Sequence, residues 1–231
     1  MQASPLINLL KKNAATFGPV VPPDLNGQNV CRLDFTAQNK LLQEADLQDT
    51  KQFDHLVNQL LQNQQATIGV GGYLENRSIY NRSTHFSTSE EQRSIHLGVD
   101  IWLDAFTPVL APVAGQVHSF KDNNNFGDYG PTIILLHELE NFTFYTLYGH
   151  LTRSSLASLQ VGQAINKGAE FAQIGPYPEN GDWPPHLHFQ VMTDMLGMAG
   201  DFPGVCAPSQ QDKYAQICLD PNLLLKSKYL V

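Results

Sequence analysis

From Tyr73 onward the chain is written in short apolar, β-branched runs separated by clusters of Gly, Pro and Asn. TIILL at 132–136, FTFYTL at 142–147 and LHFQVM at 187–192 are examples. Runs of that length between turn-forming residues predict strands rather than helices. The 17 glycines and 14 prolines among 231 residues suit a fold with many turns. A chain of that length builds one well-buried domain with an extension, or two small domains.

The first 70 residues read differently. Residues 1–18 predict a short helix with Leu6, Ile7, Leu9 and Leu10 apolar, ended by Gly18-Pro19 and Pro22-Pro23. Residues 24–27 read as a turn. Around residues 50–65, Phe53, Leu56, Val57, Leu60 and Leu61 recur at spacings of three and four, one face of an amphipathic helix. Asp49 or Thr50 is its N-cap, and His55 is an ordinary residue of its surface. The expected division is a helical N-terminal extension, 1–70, and a β-rich domain, 71–231.

A formal net charge of −8, with no Lys/Arg cluster to offset it, argues against nucleic acid as a partner. No run approaches the roughly 20 apolar residues that span a bilayer. The N-terminus, MQASPLINLLKKNAATFG, places its lysines after a short apolar stretch, which is not the order of a secretory signal. The expectation is therefore a cytoplasmic protein without a membrane partner. Cys31, Cys206 and Cys218 lie in no CxxC and cannot all pair, so reduced buried thiols are expected. An oxidising compartment would leave a Cys206–Cys218 bridge open.

The chemistry concentrates in three short motifs: His96-Leu-Gly-Val-Asp100, Tyr148-Gly-His150 and His186-Leu-His188. In a strand His186 and His188 share one face, about 7 Å apart at Cα, while Leu187 and Phe189 face a core. Such a pair can place one imidazole on a metal and the other beside it; a surface pair on an edge strand is the plainer alternative. Pro184-Pro185 stiffens the approach to the strand. His96 and Asp100 would stand about 13 Å apart in a straight strand, too far for one ion. A helix would bring them to one face, but Gly98 disfavours it. A turn at Gly98 folds both side chains inward. Hydrolytic zinc sites take three protein ligands from His and Asp/Glu and leave a position for water. His96, Asp100 and His188 supply that set, unless Asp100 is a buried structural carboxylate and His96 unrelated to it. His137-Glu-Leu-Glu-Asn141 is a decoy: the second histidine of HExxH is missing, and the segment follows a β-like run. His137 is read as a structural residue at a strand end or as a groove-lining one, and His85 and His118 as ordinary residues.

Taken in order, HLGVD (96–100), YGH (148–150) and HLHFQ (186–190) resemble the signature of the lysostaphin-type (LytM-like) zinc metallopeptidase family. APVAGQVHSF (111–120), DYGPTIILLH (128–137) and GQAINKGAEFAQIG (162–175) resemble its intervening strands, so the likeness covers about residues 93–192. It implies a mainly β, antiparallel, sandwich-like domain with an open groove holding one Zn2+ per chain. It makes His96, Asp100 and His188 the ligands and His150 and His186 the catalytic pair, with Tyr148 a groove-lining donor or a packing residue. The activity implied is zinc-dependent cleavage of peptide or amide bonds, an endopeptidase on peptidoglycan-type peptides.

Three departures stand out, the first being an N-terminus unlike a secretory signal in a family that usually acts outside the cytoplasm. ENGDWPPHLHF replaces the family's Gly/Ser/Thr-rich turn, and Gln190 stands where a glutamate is frequent. A narrower resemblance links GGYLENRSIY (71–80), RSIHLGVDIW (93–102) and DFPGVCAPSQ (201–210) to modules fused to kinase-like and class III aminotransferase-like domains. Arg77 and Tyr80 in that stretch either shape the groove or are structural. That context implies a cytosolic amidase on a small peptide-like substrate. A non-catalytic metal-binding module that regulates or recognises a partner is the other alternative.

Overall fold

The computed structural model describes residues 5–87 and 91–230. Its strands are β1 (Val30–Leu33), β2 (Ile68–Gly71), β3 (Ile95–His96), β4 (Val99–Trp102), β5 (Pro108–Leu110), β6 (Gly115–Asn123), β7 (Gly130–Leu139), β8 (Phe142–Gly149), β9 (Ala164–Ile165), β10 (Glu170–Gln173), β11 (His186–Met192), β12 (Val205–Cys206) and β13 (Cys218–Leu219). Nine of them form one sheet in the order β1-β2-β4-β11-β8-β7-β6-β9, with β13 also on β11. The pairs in this sheet are antiparallel except β1–β2, which is parallel. Two ribbons, β5–β10 and β3–β12, complete the β-structure.

Side-chain alternation divides the sheet into two faces. Val99 and Ile101 of β4, Leu187, Phe189 and Val191 of β11, and Phe144 and Tyr148 of β8 enter the largest core. The β5–β10 ribbon packs into it through Val109 and Ala172, as does the N-terminal helix through Leu6 and Leu10. Asp100, Trp102, His186, His188 and Gln190, at the intervening positions, belong to the opposite face. Asp100, His186 and His188 thus share one side of one sheet.

In the N-terminal region α1 (Pro5–Asn13) and α3 (Thr50–Asn63) follow the apolar spacing, with a single turn, α2 (Leu41–Glu44), between them; α4 (Gln211–Tyr214) and α5 (Asn222–Leu225) are short helices near the C-terminus. Residues 1–4 of the first predicted helix lie outside the described residues. Asp49 caps α3, its carboxylate accepting from the backbone N–H groups of Lys51 (2.9 Å) and Gln52 (3.3 Å). Strand β2 pairs with β4, so part of the N-terminal region is hydrogen-bonded into the main sheet. Phe53 of α3 packs against Phe35, Trp102 and Trp183. The three cysteines are free and buried. Among the described residues, no helix is long and apolar enough to cross a membrane.

Phe53 is fully buried at the junction of α3 with the sheet. Phe53→Ala is expected to cost about 3–5 kcal/mol, read as a lower midpoint in urea unfolding. A change below about 1 kcal/mol would show that α3 does not pack tightly on Trp102 and Trp183.

Candidate metal centre and histidine pair

Strand register assembles the centre. β11 lies between β4 and β8, with His188 opposite Asp100 on one side and Gly149 on the other, and His186 opposite Trp102. The chain breaks between β3 and β4 at Leu97-Gly98, and this bend returns His96 toward Asp100 as expected. Gly98 is required by close approach: a Cβ there would lie 2.7 Å from the His188 ring and 2.8 Å from the Phe189 carbonyl oxygen.

Three donor atoms converge. His188 Nδ1 is 3.0 Å from Asp100 Oδ1 and 3.0 Å from His96 Nε2, and His96 Nε2 is 3.3 Å from Asp100 Oδ1. Zinc bonds of about 2.0–2.1 Å in a tetrahedron separate donors by roughly 3.3–3.4 Å, so the triangle fits a single zinc. Acceptors facing the outer nitrogens favour a proton on each of them. His96 Nδ1 lies 3.0 Å from the Gly72 carbonyl oxygen, and His188 Nε2 3.0 Å from Gln190 Oε1. The inner nitrogens therefore present lone pairs to a carboxylate, an arrangement that a cation relieves. His96, Asp100 and His188 are all buried and form a group able to hold one metal ion.

A buried cation supports the carboxylate. The Arg77 side chain is fully enclosed, donating through Nη1 to Asp100 Oδ2 and through Nε to Glu75 Oε2 at 2.7 Å. Burial opposes the ionisation of Asp100, but His96 and Arg77 outweigh it and hold its carboxyl well below the usual range. Burial likewise opposes the Arg77 charge, and Tyr80, Asp100 and Glu75 restore it. Asp100 thus gives one oxygen to Arg77 and the other to the centre.

His150 and His186 stand alongside, their ring centroids 4.2 Å apart. His186 Nδ1 donates to the Pro184 carbonyl and His150 Nδ1 to the Asn180 carbonyl, both at 2.8 Å. Each ring therefore keeps Nε2 as an acceptor. Trp102 stacks on His186 at 4.1 Å and 19°. Burial lowers His186 to about 4 and His150 well below its ordinary value, so both rings are neutral near pH 7. His150 sits in the left-handed region at φ 62°.

The remaining candidates separate clearly. Tyr148 is in the core on the far side of the sheet, packed on Phe171 and Phe189. His137 is structural, bonded to the Ala114 carbonyl and Thr146 and stacked on Phe144. His118 contacts Ser119 and Tyr145. His85, read as ordinary, instead lines the pocket over the centre, a cavity of about 230 Å³ that includes Arg77, Tyr80, Tyr129, Trp183 and Phe202 in its walls. Tyr129, Asn180 and Gln190 escaped the sequence reading as participants in the site. Only the DYG turn and the Asn-Gly before Trp183 marked the first two, and neither signals chemistry.

Residues 94–199 match the model of Peptidase family M23 and are homologous to that family. A zinc-containing peptidase from Vibrio cholerae is 25% identical over 42% of this chain, with a TM-score of 0.33; the chain spans 27% of that peptidase. The catalytic domain of lysostaphin from Staphylococcus simulans is 26% identical, covering 52% of this chain and 80% of that domain, with a TM-score of 0.37. Comparison of the whole chain with curated proteins gives no match.

His188→Ala is expected to abolish stoichiometric zinc, measured by metal analysis after dialysis, whereas His137→Ala leaves it at one per chain. Zinc retained by the first variant would mean the ligand set is wrong. Arg77→Met is expected to lower stability by about 3–5 kcal/mol, because Asp100 and Glu75 are left buried without their shared cation; chemical denaturation of the metal-free protein measures it.

Proposed function

We propose that the chain is a zinc-dependent endopeptidase acting on peptidoglycan-type peptides. The observation that carries this reading is the triangle of His96 Nε2, Asp100 Oδ1 and His188 Nδ1 beside two further imidazoles with bare Nε2 atoms. Two histidines and a carboxylate are a hydrolytic donor set, and it lies within the segment homologous to peptidase family M23. When bound, zinc supplies Lewis acidity that polarises a scissile carbonyl and acidifies water.

The protein's own groups do the rest. His150 and His186 start neutral, with Nε2 free to accept a proton from the attacking water and return it to the leaving amine. Backbone acceptors on both Nδ1 atoms hold these rings in the required tautomer, so no rotation precedes the transfer. Trp102 fixes the plane of His186 from behind. Tyr80, Phe86 and Trp183 wall the pocket and keep bulk water from the histidines.

The pocket's enclosure also suits a short peptide-like substrate, the reading suggested by the likeness to aminotransferase-fused modules. Cross-linked peptidoglycan fragments and short peptides released from them, incubated with zinc-loaded protein and analysed by mass spectrometry, separate the two. New peptide termini are expected, lost on chelation and lost in His150→Ala, which keeps one zinc per chain. Cleavage of the short peptides alone would move the assignment to the small-substrate amidase. No cleavage of either, with zinc bound, would favour a binding module.

A further inference from the structure

Gln190 lies two residues beyond His188 on the same face of β11, and its side chain is fully buried. All of its polar atoms have partners. Nε2 donates to the Pro203 carbonyl at 3.2 Å and to Cys218 Sγ at 3.3 Å. Oε1 faces His188 Nε2 at 3.0 Å. These contacts fix which way the amide points. Turned over, it would set its NH2 group against His188 and its oxygen against the Pro203 carbonyl, acceptor to acceptor, in a buried place where that mismatch is costly.

The consequence reaches the centre. An amide oxygen only accepts, so Gln190 calls for the His188 proton on Nε2, against the Asp100 carboxylate, which faces Nδ1 at the same 3.0 Å until a cation takes that place. Nδ1 then holds a lone pair aimed between Asp100 Oδ1 and His96 Nε2. The other neighbour of His188 Nε2 is the Tyr129 hydroxyl, at 3.5 Å, the outer limit of a hydrogen bond. It can donate or accept, so it does not choose a tautomer by itself. Gln190 does. Its anchors belong to the segment before β12 and to β13, which pairs with β11 through Met192 and Cys218. Two distant parts of the chain are thereby recruited to orient one imidazole.

We infer that Gln190 is a positioning residue of the metal centre, holding the His188 proton on Nε2 so that Nδ1 is presented to a divalent cation. The inference rests on the reading of His96, Asp100 and His188 as a zinc site.

The test uses the full chain with zinc alone as the probe. Zinc affinity is measured by competition with a chromophoric chelator for the wild type, Gln190→Leu and Gln190→Glu. The ring tautomer of His188 is read in metal-free protein by nitrogen-15 NMR of labelled histidine. The wild type is expected to carry the proton on Nε2. Gln190→Leu, which fills the space without an acceptor, is expected to bind zinc about 10–100-fold more weakly and to show mixed tautomers. Gln190→Glu restores the acceptor and is expected to bind at least as tightly as the wild type, although it leaves the Pro203 carbonyl without its donor and melts lower. Wild-type affinity and tautomer in Gln190→Leu would overturn the inference. So would Gln190→Glu binding as weakly as Gln190→Leu, since packing alone would then explain both. Should the leucine variant fail to fold, a wild-type proton on Nδ1 would overturn it just as well. A wild type that takes up no zinc would instead reject the metal site, and the tautomer measurement would still judge Gln190.

Discussion

The centre depends on the antiparallel register of β4 against β11. With His188 opposite Asp100 and His186 opposite Trp102, a ligand pair separated by 88 residues becomes a contact, and a histidine receives a flat aromatic surface. A slip of one residue would turn His186, His188 and Gln190 into the apolar core and bring Leu187 and Phe189 out of it. The core residues of β11 therefore enforce the same register that the ligands require. Folding and metal binding make one demand on this strand.

Asp100 shows how charge is managed within that frame. A carboxylate at a fully sheltered position needs positive partners, and Arg77 meets this on one oxygen while leaving the other free. Glu75 in turn compensates Arg77. The centre sets two carboxylates against one guanidinium, a deficit of fixed positive charge that a divalent cation corrects. The same three residues lie beside the paired strands β2 and β4, with Phe35 packed beneath the Arg77 guanidinium. No described residue before Arg77 lines the pocket. The N-terminal region stands behind the wall of the site and supports it from there.

Much of this was legible in the sequence because it is local. The alternation of HLHFQVM defines which residues share a face, Gly98 marks the bend that reunites His96 with Asp100, and the spacing of Phe53, Leu56, Val57, Leu60 and Leu61 defines α3 with Asp49 before it. What was not legible depends on contacts between distant segments. Nothing near Arg77 announces that it reaches Asp100, and nothing in NGDW shows that Asn180 offers its carbonyl to His150. The departure at Gln190 was visible as a residue type, but its meaning lies in Pro203 and Cys218, which only tertiary structure brings alongside. Tyr148, open between a groove-lining donor and a packing residue, is decided by strand alternation, which sends it into the core.

His150 occupies a left-handed backbone conformation that is uncommon for residues other than glycine. Holding it there costs on the order of 1–3 kcal/mol, and a glycine at this position would relieve that cost. Selection for foldability alone would therefore drift away from histidine at position 150. In the proposed hydrolase the proton transfer at His150 Nε2 would hold against that drift, so the backbone cost at this position would be the cost of the chemistry.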